Sequence, residues 1–553
     1  MVIESNVMAD EKMLHINDIA ESAGIDLDAL ELYGKYKAKI SLNFYEKVKA
    51  RAKGKLIYIT CITPTPAGEG KTLTSIGLTE ALGKLNKNVM LCLREPSLGP
   101  IFGTKGGATG AGRAEILPRE DINLHFTGDM HAITSAHNLL AAIIDNHIFR
   151  GNENSINIAR TRWRRVMDMN DRALRDIYVD GDSDLYGKTG FDITASSEIM
   201  AIMALSDNIN DLKKRLSRII VGYTTQGRPI RAEEFGIIDA MTLLLKDALK
   251  PNLVQTSEGQ PVLVHCGPFA NIAHGNNSII ATKMALSLAD YVVTEGGFSS
   301  DLGAEKFFDI VCPAQNLKTD VAVLVCSVRA LNMHGGATKK EYTQKNLHYL
   351  DKGLAHLQAH IDILKKFKLP IVVAINKFDT DTEEEINLIE GYCRSKGVRI
   401  AVSRAFSEGG CGAVPLAKEV IDSLERDINQ FTAIYDHNLP VYNKIEILAK
   451  KIYGARGVEY TPGAIKDIED LTYCGFGNLP ICMAKTQFSL SDNSSIKGVP
   501  GEWVLNIRQL KVSNGAGFIV PYSGNIMLMP GLPKKPSALN ISIDSLGNVT
   551  GLK

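Results

Sequence analysis

Short, continuous apolar runs recur along most of this chain, each ending in a polar or glycine-rich turn. The run Ile57-Tyr-Ile-Thr-Cys-Ile carries the β-formers Ile57, Ile59 and Ile62. Beyond Thr72 the period changes: Leu73, Ile76, Leu78 and Leu82 recur at helical spacing. Further strand-like runs cover 88–93, 262–264, 290–295, 321–326, 370–375 and 398–402. Runs apolar on both faces belong in a parallel sheet covered by helices on each side. The pattern predicts an α/β protein: a P-loop NTPase-like major domain with a parallel sheet, and two smaller α/β or α+β domains.

The rhythm breaks twice. Residues 1–55 read as a helical arm, and residues 148–250 as a charged, mostly helical insert that could make an oligomer contact. The predicted domains are therefore 1–147 with 251–362, the insert 148–250, and a C-terminal α/β plus α+β region, 363–553. Polar and apolar residues alternate from Asp121 to His131, which predicts a strand placing Asn123, His125 and Asp129 near the site.

Composition narrows the function classes. Lys and Arg total 62 and so do Asp and Glu, leaving no electrostatic footprint for nucleic acid or an anionic membrane. The nine cysteines form no C-x-x-C pair, which favours a reducing compartment over zinc or iron–sulfur sites. The start is charged from Glu4 onward, unlike a signal peptide, and no apolar run is long enough to cross a bilayer. A cytoplasmic protein is expected.

The candidate chemistry sits where the runs end. Thr65-Pro66-Ala67-Gly68-Glu69-Gly70-Lys71-Thr72 lies between a strand and a helix. It fits a phosphate loop, with Thr65 where the usual first glycine stands. Backbone N–H groups would face phosphates, Lys71 would reach the outer ones and Thr72 could hold Mg²⁺. Arg94 and Glu95 close the next strand, where α/β folds place ligands. A guanidinium there could clamp a phosphate and a carboxylate could orient a substrate. The glycine-dense stretch around Lys105, Gly106 and Gly107 reads as an anion-binding loop. Residues 290–298 resemble a Walker-B strand, with Glu295 or Asp301 a partner for Mg²⁺ and Phe298 at its end. Asn376-Lys-Phe-Asp matches the guanine-reading motif of G proteins. Its distance along the chain from the phosphate loop, across an expected domain boundary, weighs against a GTPase.

Taken together, these motifs resemble formate–tetrahydrofolate ligase over nearly the whole chain. The resemblance is carried by Thr63-Pro-Thr-Pro-Ala-Gly-Glu-Gly-Lys-Thr, Leu93-Arg-Glu-Pro-Ser-Leu-Gly-Pro, Gly103-Thr-Lys-Gly-Gly-Ala and Glu120-Asp-Ile-Asn-Leu-His-Phe-Thr-Gly-Asp. Lys250-Pro-Asn-Leu-Val-Gln-Thr, Gly267-Pro-Phe-Ala-Asn-Ile-Ala-His-Gly, Val328-Arg-Ala-Leu and Met529-Pro-Gly-Leu-Pro add to it. It implies that ATP and formate give formyl phosphate and ADP, and that N10 of tetrahydrofolate then takes the formyl group. Lys71, Arg94 and Glu95 would be catalytic. Phe298, Phe378 and Arg404 would lie on the folate side, within the C-terminal region for the last two. The resemblance also implies Mg²⁺ with ATP, a monovalent cation (K⁺ or NH₄⁺), and a homotetramer.

Departures gather on the folate side. Arg113 replaces an aromatic residue, Glu115 a glutamine, Asn332 a lysine, and Arg404 the tryptophan that would stack opposite Phe378. Two alternatives follow: a divergent paralogue passing an acyl phosphate to another acceptor, or a non-catalytic nucleotide-binding protein.

Overall fold

The computed structural model describes residues 13–51, 53–103, 109–161, 163–179, 188–524 and 526–552. In chain order the central sheet contains β1 (Leu30–Leu32), β2 (Ala38–Ile40), β3 (Lys55–Cys61), β4 (Val89–Leu93) and β5 (Asn252–Thr256). It continues with β6 (Pro261–Val264), β7 (Tyr291–Glu295), β8 (Val321–Cys326), β9 (Ile371–Asn376) and β10 (Arg399–Ser403). Their spatial order is β1-β2-β5-β6-β4-β7-β3-β8-β9-β10. Every neighbouring pair from β6 to β10 is parallel, while β1, β2 and β5 form an antiparallel flank. The α/β architecture with a mostly parallel sheet agrees with the apolar runs.

Alternate residues of the parallel strands feed separate cores. Leu56 and Tyr58 of β3 point into one cluster, and Ile57, Ile59 and Cys61 into the other. Strand β8 divides the same way, with Leu324 and Cys326 opposite Val323 and Val325. Both faces are buried, so no polar alternation survives in the sequence. Helix α1 (Lys71–Lys84) follows β3, α2 (Val328–His334) follows β8, and α3 (Leu347–Lys365) leads into β9. Helix α4 (Gly410–Arg426) covers the α1 side, its Ala413, Leu416 and Val420 sharing a cluster with Ile76 and Leu78.

Several local expectations fail for physical reasons. The 121–131 segment is no strand: Arg119–Asn123 and Asp129–Phe149 are helices. Glu120 and Asp121 in the first turn suit a helix N-terminus, and so short an alternation cannot tell the two periods apart. The N-terminal arm is only partly helical, since β1 and β2 extend the sheet. Ala38, Lys39 and Ile40 are all buried, which hides their strand period. The insert mixes helices with short strands such as Ile220–Tyr223 and Pro229–Arg231. The sheet also runs through residue 363, where the sequence reading draws a boundary, because β9 and β10 pair in register with β8. Beyond it, Gly457–Tyr460, Val504–Ser513 and Phe518–Ser523 form a small separate sheet. Among the described residues no helix is long and apolar enough to cross a membrane.

Close approach of α1 to the short turn Ala405–Glu408 before α4 depends on Gly77, since a Cβ there would overlap Ala405. We expect Gly77→Val to cost ~1–3 kcal/mol of stability by overpacking, seen as a lower urea midpoint with unchanged slope.

Candidate active site

The loop joining β3 to α1 leaves the sheet between β7 and β8, so the ends of three strands meet around it. Gly68 and Gly70 adopt positive φ of 78° and 72°. At Gly70 a Cβ would also run into the side-chain amide of Asn376, which donates to the Glu69 carbonyl at 3.0 Å. Glu69 is buried, and its carboxylate accepts from the Thr65 amide at 2.7 Å and from the Ser327 hydroxyl. Burial pushes its pKa up, against the nearby Arg329 charge. The Arg329 guanidinium donates to the Gly68 carbonyl.

The turn after β7 gathers the predicted cations. The Thr72 hydroxyl donates to Glu295 Oε1 at 2.9 Å, and Ser75 donates to Oε2 at 3.1 Å. Lys71 Nζ donates to the Phe298 carbonyl at 3.1 Å, as does the Cys61 thiol at 3.1 Å. Phe298 has φ of 58°, unusual for a bulky residue and a sign of stored backbone strain. That twist aims its carbonyl at the loop. A Cβ on Gly297 would stand 3.1 Å from Arg94 Nη1, so the guanidinium packs closely against this turn. Arg94 donates from Nη1 to the Pro268 carbonyl at 3.1 Å and leaves a buried Nε without a protein partner. Burial lowers its pKa, and the Glu295 charge works in the opposite direction. Lys71, Thr72, Arg94 and Glu295 thus converge on one turn, with unspent donor capacity on Arg94.

Glu95 points elsewhere. It is buried beside Asp129, and its pKa is raised by burial first and then by that second carboxylate. Asp129 is held by Lys39 Nζ at 2.7 Å and by the Asn252 amide at 2.9 Å. Of the residues 121–131 singled out from sequence, Asp129 therefore belongs to the Glu95 cluster. Lys105, Gly106 and Gly107 lie outside the described residues.

A second set of groups lines the ends of β8, β9 and β10. The Arg329 guanidinium stacks 4.0 Å from the centroid of the Phe378 ring. Arg404 is 40% exposed and sits 3.9 Å from Glu383, which also pairs with Lys377. The Arg113 amide donates to the Phe406 carbonyl at 3.0 Å, so the departures at 113 and 404 belong to touching loops. Asn332 is buried instead, bonded to the Tyr342 carbonyl at 3.3 Å. Asn376 corrects the argument made against a G-protein motif: it touches the loop directly, because β9 is one strand beyond β8 in the same sheet. Sequence reasoning missed Arg329, Ser327 and the structural part of Asn376. Ser327 and Asn376 close apolar strands, the position where such folds place ligands, and Arg329 lies in the first turn of the helix that follows β8.

The fold and this convergence define a class: an α/β enzyme with its polar groups gathered at the carboxyl ends of parallel strands. The family model for formate–tetrahydrofolate ligase matches residues 3–553, and the chain belongs to that family. It is a carbon–nitrogen ligase of one-carbon metabolism, its substrates formate and tetrahydrofolate and its reaction driven by ATP.

Gly70→Ala should weaken ATP binding about tenfold, through left-handed strain of ~1–2 kcal/mol and the clash with Asn376. The double variant Gly70→Ala/Asn376→Ala should recover part of that loss by calorimetry; equal or worse binding would count against the packing argument.

Proposed function

We propose that the loop from Thr65 to Thr72 binds the phosphates of ATP, and that formate is activated there as formyl phosphate. A formate oxygen attacks the terminal phosphorus and ADP leaves. Lys71 and the loop amides hold the migrating phosphoryl group. Arg94 neutralises the charge on the mixed anhydride, using the donor capacity that Pro268 leaves free. The N10 amine of tetrahydrofolate then attacks the formyl carbon, and phosphate departs.

The observation that carries this reading is the Glu295–Phe298 turn, which draws Lys71, Thr72 and Arg94 to one place. Thr72 and Glu295 are hard oxygen donors of the type that suits Mg²⁺. Mg²⁺ bound with ATP would exchange into their hydrogen bond and offset phosphate charge. Glu95 acts through its buried carboxylate cluster with Asp129 rather than on the anhydride. The glycine stretch at Lys105, Gly106 and Gly107 supplies further anion contacts. Phe298, Phe378 and Arg404 border the acceptor, with Arg404 offering a flat guanidinium in place of an aromatic face. A monovalent cation and a homotetramer complete the proposal, in a cytoplasmic enzyme.

Formate-dependent ADP release, measured with and without tetrahydrofolate, tests the sequence of steps. Strong stimulation by tetrahydrofolate is expected, and indifference to it would point to another acceptor. Arg94→Gln should lower that turnover ~10²–10³-fold, the usual loss for one preorganised donor, with the melting temperature unchanged. Arg404→Trp should tighten tetrahydrofolate binding by ~0.5–1.5 kcal/mol, the worth of one aromatic stacking partner. Unaltered folate affinity would remove Arg404 from the acceptor site.

A further inference from the structure

A cluster of three imidazoles lies directly under the point where the loop leaves β3. His334 ends α2, and His356 and His360 lie one turn apart on α3. His356 and His360 are almost wholly buried, and so is Thr63. The Thr63 N–H donates to His360 Nε2 at 3.0 Å, so that nitrogen carries no proton. The proton is on Nδ1, which donates to the Ser300 hydroxyl at 2.7 Å. The Thr63 carbonyl accepts from His334 Nε2–H at 2.9 Å, and His334 Nδ1 accepts from the Gly498 N–H at 3.0 Å. The two rings are therefore fixed in opposite neutral tautomers. His356 stacks on His334 with centroids 3.7 Å apart, and its Nε2 faces His360 Nε2 at 3.2 Å.

We infer that His334 and His360 are positioning residues, which set the loop's starting direction by holding both backbone groups of Thr63. Neither ring touches the reacting atoms. Each satisfies one backbone group that a buried chain cannot leave unmade. Through Gly498, the same clamp ties the loop to the C-terminal region. The charged groups facing the cluster are Asp301, Lys485 and Lys497.

Burial lowers the His334 pKa to about 3 and the His360 pKa to about 4, from an ordinary 6.5. Folded protein thus binds fewer protons here than unfolded chain. The stabilisation is complete above pH 6.5 and is lost as pH falls toward 4, where a second ring proton would meet a backbone N–H.

The inference rests on the loop being the nucleotide site, and the test keeps the two apart. Hydrogen exchange of the N–H groups of Thr63, Thr65, Ala67, Gly68, Glu69 and Gly70 is followed without nucleotide, alongside calorimetric binding of Mg-ATP and tetrahydrofolate. His360→Leu should speed exchange in that segment about tenfold, the factor for one unmade buried hydrogen bond. ATP affinity should fall by a similar factor, with tetrahydrofolate affinity retained. His360→Gln, whose amide can accept from Thr63 and donate to Ser300, should restore both to within about threefold. Ser300→Ala, a milder change, should give the same selective loosening if His360→Leu does not fold. Unchanged loop exchange in folded His360→Leu, uniform loosening of the whole chain, or no rescue by Gln would each overturn the clamp. Failure of ATP to protect these amides in the wild type would sink the nucleotide reading alone, leaving the ATP-free exchange to decide the clamp.

Discussion

The hydrogen bonds from Thr72 to Glu295 and from Lys71 to the Phe298 carbonyl join two strands that are far apart in sequence and adjacent in space. They depend on β3 and β7 pairing in parallel, so that both strands end at the same height. A slip of one residue would turn Glu295 to the other face and separate it from the hydroxyl it accepts. The in-register pairing Tyr291–Lys55 through Glu295–Ile59 prevents this. The cores on the two faces hold that register, since each strand contributes alternate side chains to both.

Charge in this site is managed by burial. Glu69 is almost dry and Arg94 half-buried, and each keeps company that limits the cost: Arg94 beside Glu295, Glu69 beside Arg329 and two hydrogen-bond donors. A partly desolvated guanidinium attracts a developing anion more strongly than a fully hydrated one. The same burial makes Glu95 and Asp129 compete, and Lys39 is the ammonium that offsets them. The strand ends around Lys71, Thr72 and Arg94 therefore lie between two buried networks. One orients the loop and the other closes the sheet's antiparallel flank.

Arg329 connects the halves of the site. Its guanidinium reaches the Gly68 carbonyl on one side and the Phe378 ring on the other. A ligand stacking on that ring and a ligand filling the loop would both feel its position. The loops that carry Arg113 and Arg404 touch through the Arg113 N–H and the Phe406 carbonyl, so these two departures form one local change, while Asn332 is buried apart from them.

Much of this was determined by sequence alone. The apolar runs marked strands buried on both faces, and the change of period after Thr72 marked the helix, because those signals are local. The loop residues, Arg94 and Glu295 could be singled out because each lies at a strand end, where such folds place ligands. Tertiary structure decided what local pattern cannot encode. The order of the strands brought Asn376 onto Gly70, though the chain separates them widely. The twist at Phe298 turned its carbonyl to Lys71. Burial aimed Glu95 at Asp129, and packing of α2 and α3 put two imidazoles on Thr63. Each outcome depends on contacts between residues remote in sequence, and no periodicity records such contacts.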